Sequence, residues 1–143
     1  MGKRSQAYGS TGEDIAVLAL RGMGVEMVEH IATPFAIVAR NQQGWIRIKY
    51  KERVSADIIG VMPGGRRVLA EVKSTNEDRL VFSRLRSHQV EALNKNHELG
   101  AISLLVLVHP YGYCVMRWPI EGFKPRASIL VEEAYKHEWD GET

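Results

Sequence analysis

Cysteine is almost missing. Cys114 stands alone among 143 residues, so no internal disulfide can brace the chain, and this usage fits a reducing compartment. With one cysteine, and with His30, His88, His97 and His109 outside the spacing of a zinc site, no zinc cluster is expected. No apolar stretch approaches the roughly 20 residues of a membrane-spanning helix. The opening Met1-Gly2-Lys3-Arg4-Ser5-Gln6 carries charge with no apolar stretch behind it, so neither a cleaved signal peptide nor a membrane partner is expected, and the expected location is cytoplasmic. Repeats, low-complexity tracts and Pro/Gly/Ser linkers are also lacking. One domain spanning residues 1–143 is therefore expected, with residues 1–8 as a mobile basic arm and 138–143 as a flexible acidic tail.

What is present is an ordinary core-forming composition, 45% hydrophobic and 25% charged, which at this size supports a packed interior without staples. The net charge of +2 is unevenly spread. Residues 1–126 hold 18 Lys and Arg against 12 Asp and Glu, while residues 127–143 hold Lys136 against five acids. A basic body is compatible with a polyanionic partner without requiring one.

Along the chain, Ser10 or Thr11 reads as a cap, with Glu13 and Asp14 in the first turn of a helix over about 11–22 that Gly22 and Gly24 end. Phe35 to Ala39 and Trp45 to Lys51 read as strands around the turn Asn41 to Gly44. In the second, Ile46, Ile48 and Tyr50 share one face that packs, and Arg47, Lys49 and Lys51 share the other. Ala56 to Val61 and Val68 to Lys73 form a hairpin around Pro63-Gly64-Gly65. A helix over about 85–99, a doubly buried strand over 101–108, a paired strand over 113–118 and a last helix over about 127–137 complete the reading. The fold class is α/β, a mixed central sheet flanked by helices.

The chemistry gathers on the central hairpin. If Asp57 faces Glu71, then Met62 faces Arg66 and the loop is Pro63, Gly64 and Gly65, with glycine free to take the left-handed position. Glu71 and Lys73, two residues apart, project from one face, with Asp57 beside them. Two adjacent carboxylates repel unless a cation lies between them, and a hard divalent ion such as Mg²⁺ meets that need while keeping positions for water and phosphate. Lys73 can orient the attacking water or stabilise transition-state charge. The same three residue types also occur commonly on solvent-facing hairpins.

The ordered set Glu13, Asp57-Ile58-Ile59-Gly60, Glu71-Val72-Lys73 and Gln89 resembles the PD-(D/E)XK nuclease superfamily. More narrowly, His88-Gln89-Val90-Glu91-Ala92-Leu93 followed by His97-Glu98-Leu99-Gly100-Ala101-Ile102 is similar to Holliday junction resolvases of the bacterial RecU type and of the archaeal cellular type. The chain departs from the pattern in Ser55-Ala56 ahead of Asp57 and in Ser74 after Lys73. The resemblance implies a restriction-endonuclease-like core with a short basic β-hairpin stalk. It implies Asp57 and Glu71 as metal ligands, the Val72 carbonyl completing the site, Glu13 reaching the metal through water, Lys73 as the catalytic lysine and Gln89 as a helper. The implied cofactor is Mg²⁺, with Mn²⁺ able to substitute.

The implied activity is paired nicking of four-way DNA junctions by a homodimer. Other readings are a related nuclease acting on flaps, nicks or duplex ends, and a DNA-binding module that no longer cuts. For DNA contact the candidates are Arg47, Lys49, Lys51 and Arg53 on the stalk and Arg66, Arg84 and Arg86 flanking the site. Thr33, before Pro34, is a candidate phosphate or metal contact or simply a strand-start residue. The basic strand face likewise reads either as a phosphate-contacting surface or as a solvated one.

Overall fold

A computed structural model describes residues 2–31, 35–50 and 56–142, with side chains described for 11–31, 39–47 and 56–142. The first helix, α1 (Gly2–Gly22), is longer than its capping signals suggest, and residues 2–8, expected as an arm, form its first turns. Ser10 and Thr11 therefore lie inside the helix. It ends where expected, in a Schellman motif: Gly24 takes φ +95°, Val25 N–H donates to Leu20 O and Gly24 N–H to Arg21 O.

Five strands make the main sheet. In spatial order they are β1 (Glu26–His30), β4 (Ile58–Val61), β5 (Arg67–Ser74), β7 (Ile102–His109) and β8 (Gly112–Arg117), with β2 (Phe35–Arg40) and β3 (Ile46–Tyr50) forming a separate two-stranded sheet. β4 and β5 pair in the expected register, Ile58 opposite Ala70 and Ile59 opposite Leu69, and the loop holds Gly64 and Gly65 at φ +100° and +95°. Only β5 and β7 are parallel; the other neighbours run antiparallel. The crossover between them carries α2 (Ser87–Glu98). This mixed sheet flanked by helices is the architecture expected.

Two cores follow from strand alternation. Ile58, Val68, Ala70, Leu104 and Val106 face α1 through Ala16, Ala19 and Leu20, whereas Leu69, Leu105, Leu107 and Met116 pack with Leu93 of α2. β7 is buried on both faces as its apolar run predicts. By the same alternation Glu71 and Lys73 lie on the α2 face, two and four residues beyond Leu69.

The carboxy-terminal region differs from expectation. Residues 127–137 are not one helix: β9 (Ser128–Leu130) pairs with β6 (Arg79–Val81), and only then do α3 (Val131–Ala134) and a 3₁₀ turn follow. Burial of Leu80 and Ile129 across that ladder outweighs helix propensity. Nor are residues 138–143 a free tail throughout. Glu138 bridges to Met116, Trp139 N–H donates to Val115 O at 2.7 Å, and the Trp139 indole is buried in the α1-side core. One large apolar side chain overrides the surrounding charge.

The β2–β3 hairpin pairs as read from sequence, Ala36 with Lys49 and Ile37 with Ile48, with a bulge between Ile37 and Ala39. Its expected packed face is corrected at Ile46, which is 52% exposed, because this hairpin stands outside the main sheet.

Candidate active site

The site forms where β4 begins and β5 ends. Asp57 immediately precedes β4, and its Oδ2 accepts the Val72 N–H at 2.8 Å. Glu71 is 1% exposed. Its Oε1 accepts from Gln89 Nε2 at 2.6 Å and lies 3.3 Å from Lys73 Nζ. The other oxygen, Oε2, is buried without a partner, the one such side-chain atom among the described residues. By contrast the buried Asn96 and Ser103 satisfy each other and the backbone. An unsatisfied buried carboxylate oxygen is costly, so it needs a functional explanation.

Gln89 is held at both ends. Its Oε1 accepts the Arg86 backbone N–H at 2.9 Å, closing the first turn of α2, while its Nε2 reaches Glu71. The amide thereby transmits the position of α2 to the carboxylate.

α1 reaches the site through Gly12, where an added Cβ would fall 2.5 Å from Ser74 Oγ. That close approach puts Glu13 in the cleft. Its Oε2 lies 3.1 Å from His30 Nδ1 on β1. Sequence reasoning did not select His30, whose strand shows only one buried residue in five, Val28, and so lacks apolar alternation.

Together Glu13, Asp57, Glu71, Lys73, Gln89 and Arg84 line one cleft of about 260 Å³. All five residues predicted for catalysis converge there. Burial pushes Glu71 up to about 8, with the Asp57 charge adding and Lys73 opposing. Glu13 is also raised, first by burial and then by Asp57, against the lowering influence of His30. Excess negative charge with too little solvent is an environment that favours a cation.

The donors suit a hard divalent ion: carboxylate oxygens from Asp57 and Glu71, one oxygen orphaned, with Glu13 and Val72 in the same lining. Among the described residues no three His, Cys, Asp or Glu side chains are gathered closely enough to hold a metal by themselves.

Of the predicted DNA contacts, Arg84 lines the cleft and its Nη1 donates to Ser74 O, and Arg86 precedes α2. Arg66 does not flank the site. It lies beside the glycine turn with Nε donating to Gly100 O at 2.8 Å, five residues and about 16 Å along the strand from Glu71. Arg47 is exposed on β3; Thr33, Lys51 and Arg53, and the side chain of Lys49, lie outside the described residues. Cys114 is buried, its thiol pushed up to about 12 by burial and Glu138, so it is a core residue and no nucleophile.

A family model described as Recombination protein U matches residues 20–115, taking in the hairpin, Asp57, Glu71, Lys73 and Gln89. The chain belongs to the RecU family. Glu13 lies ahead of the matched span, and it is the fold that brings this residue to the cleft. The solved structure of Hjc, a Holliday junction resolvase from the archaeal hyperthermophile Archaeoglobus fulgidus, is similar over 93% of this chain and 97% of that one, with TM-score 0.58 and 19% identity. At that identity the likeness establishes a shared fold. A second solved structure, SSO0001, overlaps 79% of this chain and 54% of its own at TM-score 0.38 and 18% identity. No curated protein matches the sequence. No helix among the described residues is long and apolar enough to cross a membrane.

Proposed function

We propose that this RecU-family chain is a divalent-metal-dependent Holliday junction resolvase that nicks opposed strands of a four-way junction by phosphodiester hydrolysis. The observation that carries the reading is the buried, half-unsatisfied Glu71 carboxylate beside Asp57 and Lys73 in a cleft at the end of the parallel strand β5. A DNA-binding module that had lost catalysis would have no use for so costly an arrangement.

Asp57 and Glu71 would hold the ion, with Val72 and Glu13 in the same lining. A bound Mg²⁺, or Mn²⁺ in its place, supplies Lewis-acid stabilisation of charge on the phosphate and lowers the pKa of water. The Val72 N–H fixes the Asp57 carboxylate, and Gln89 fixes that of Glu71. Lys73, tethered by Glu71, presents an ammonium to the attacking water and to the charge that builds on the phosphorus oxygens. Arg84 supplies a further positive group to the backbone phosphates.

A four-way junction has two-fold symmetry, and one chain supplies one cleft, so paired nicking needs a homodimer. The protein acts with DNA in the cytoplasm. The β2–β3 hairpin, with Arg40 and Arg47 described on it and Lys49 in its second strand, is the stalk that favours the open junction over linear duplex.

The test is cleavage of a mobile four-way junction beside matched duplex and flap DNA, with Mg²⁺, with Mn²⁺ and with chelator, alongside sedimentation of the protein. Paired, metal-dependent nicks confined to the junction and a dimeric mass are expected. Preferred cutting of flaps or duplex ends would replace the resolvase reading with another nuclease; binding without cutting in either metal would leave a silent module.

A further inference from the structure

The tip of the β2–β3 hairpin carries an aromatic side chain that the catalytic cleft does not use. Trp45 is 74% exposed, whereas Trp118 and Trp139 are 2% and 3% exposed. A single exposed apolar residue is unremarkable in itself. This one, however, is held in place. Asn41 Oδ1 accepts the backbone N–H of both Gln43 and Trp45 at 3.0 Å, Asn41 N–H donates to Trp45 O at 3.1 Å, and Gly44 takes φ +87° to close the turn. The backbone beneath the indole is thus fixed by four residues of its own turn.

The surroundings are cationic. Ala39, Arg40, Asn41, Trp45, Ile46 and Arg47, two arginines and no acidic residue among them, line a shallow cleft of about 190 Å³. In the ladder Arg40 faces Ile46 and Ala39 faces Arg47, so the two arginines follow the turn that carries Trp45 by one and two rungs, Arg40 on the face of Ile46 and Arg47 on the other. An aromatic face beside two cations suits a nucleobase with its adjoining phosphates, since bases stack on indole irrespective of sequence and guanidinium groups take the backbone.

We propose that Trp45 is a stacking platform for an unpaired nucleobase, with Arg40 and Arg47 beside it holding the adjoining phosphates. The inference rests on the reading of the chain as a resolvase and specifies what the hairpin recognises there: the unstacked base at a branch point. Duplex DNA, with every base stacked, offers this site only phosphates.

The intact chain in chelator, where no cutting occurs, provides the test through tryptophan emission. Trp45 dominates the solvent-exposed, red-shifted component because the other two indoles are buried. A dT oligonucleotide and a four-way junction should quench that component, and a matched duplex should not. Trp45→Ala should weaken oligonucleotide binding about 5- to 150-fold, the range for losing one stacked base, and Trp45→Phe should retain most of the affinity. Unchanged emission at saturating oligonucleotide, or wild-type affinity in Trp45→Ala, would overturn the proposal. So would an emission shift that follows protein concentration and ignores DNA, since the tip would then be a protein contact. Quenching by dT without preference for the junction over duplex would uphold the stacking site and remove the junction reading instead.

Discussion

The cleft and the hairpin tip are built by opposite means. In the cleft, α1, β1, the β4–β5 pair and α2 each contribute one or more polar groups, and Glu71 sits at 1% exposure among them. At the tip, six consecutive or nearly consecutive residues make the whole site, and Trp45 and Ile46 are 74% and 52% exposed. On the proposed reading, chemistry depends on tertiary packing and substrate choice on a local turn. The two should fail independently when mutated.

The largest effect is expected at Lys73. Lys73→Ala should lower single-turnover cleavage by roughly 10²-fold or more, the scale for removing one preorganised electrostatic group. Divalent-ion binding by calorimetry should persist, because an ammonium offers no ligand to Mg²⁺. Loss of metal binding would make its role structural. Next comes Glu71 as a pH sensor. Its pKa rises on folding from about 4.5 to about 8, so the native state holds the extra proton, and stability without metal should fall as pH climbs from about 4.5 to 8. Denaturant midpoints across that range should show the decline, Mg²⁺ should offset it at the alkaline end, and Glu71→Gln should flatten it.

Smaller effects belong to the positioning residues and the hairpin. Gln89→Ala removes a hydrogen bond to a charged group, worth about 1.5–3 kcal/mol, and should cost roughly 10- to 100-fold in turnover. His30→Ala, at a half-exposed contact, should cost about two- to fivefold, with His30→Asn restoring most of it through its amide donor. An equal loss in both His30 variants would show that the imidazole does something other than hold Glu13. Changing Arg47, Lys49 and Lys51 together to Ala should leave the rate at saturation intact and flatten the dependence of log affinity on log salt by up to about 0.9 for each phosphate no longer neutralised. Junction affinity should drop more than duplex affinity; an equal drop would make this face a general basic patch.

Sequence carried the β4–β5 hairpin fully, because Pro63-Gly64-Gly65 permits one register and that register puts Asp57 beside Glu71. β7 was legible from its apolar run, interrupted only by Ser103, and α2 from Gly100, which stops it at φ +90°. β1 was not legible, since only Val28 is buried and the remaining side chains show no period. With it went His30. The β6–β9 ladder escaped for a related reason: three-residue strands carry too little pattern, and their pairing depends on Leu80 and Ile129 meeting across 49 positions. In the cleft, the residue types and their convergence were readable, but the orphaned Glu71 Oε2 and the double role of Gln89 exist only in three dimensions. Arg66 was misplaced because proximity in sequence to Glu71 says nothing about which end of a strand a residue occupies.

In the proposed division of labour the cleft around Glu71 cuts and the rest of the molecule selects. Single-turnover cleavage of a four-way junction, prebound and saturated with Glu71→Gln protein in Mg²⁺, decides whether that division holds. A rate at least about 10²-fold below wild type, with junction affinity unchanged, is expected. A wild-type rate in that variant would contradict it.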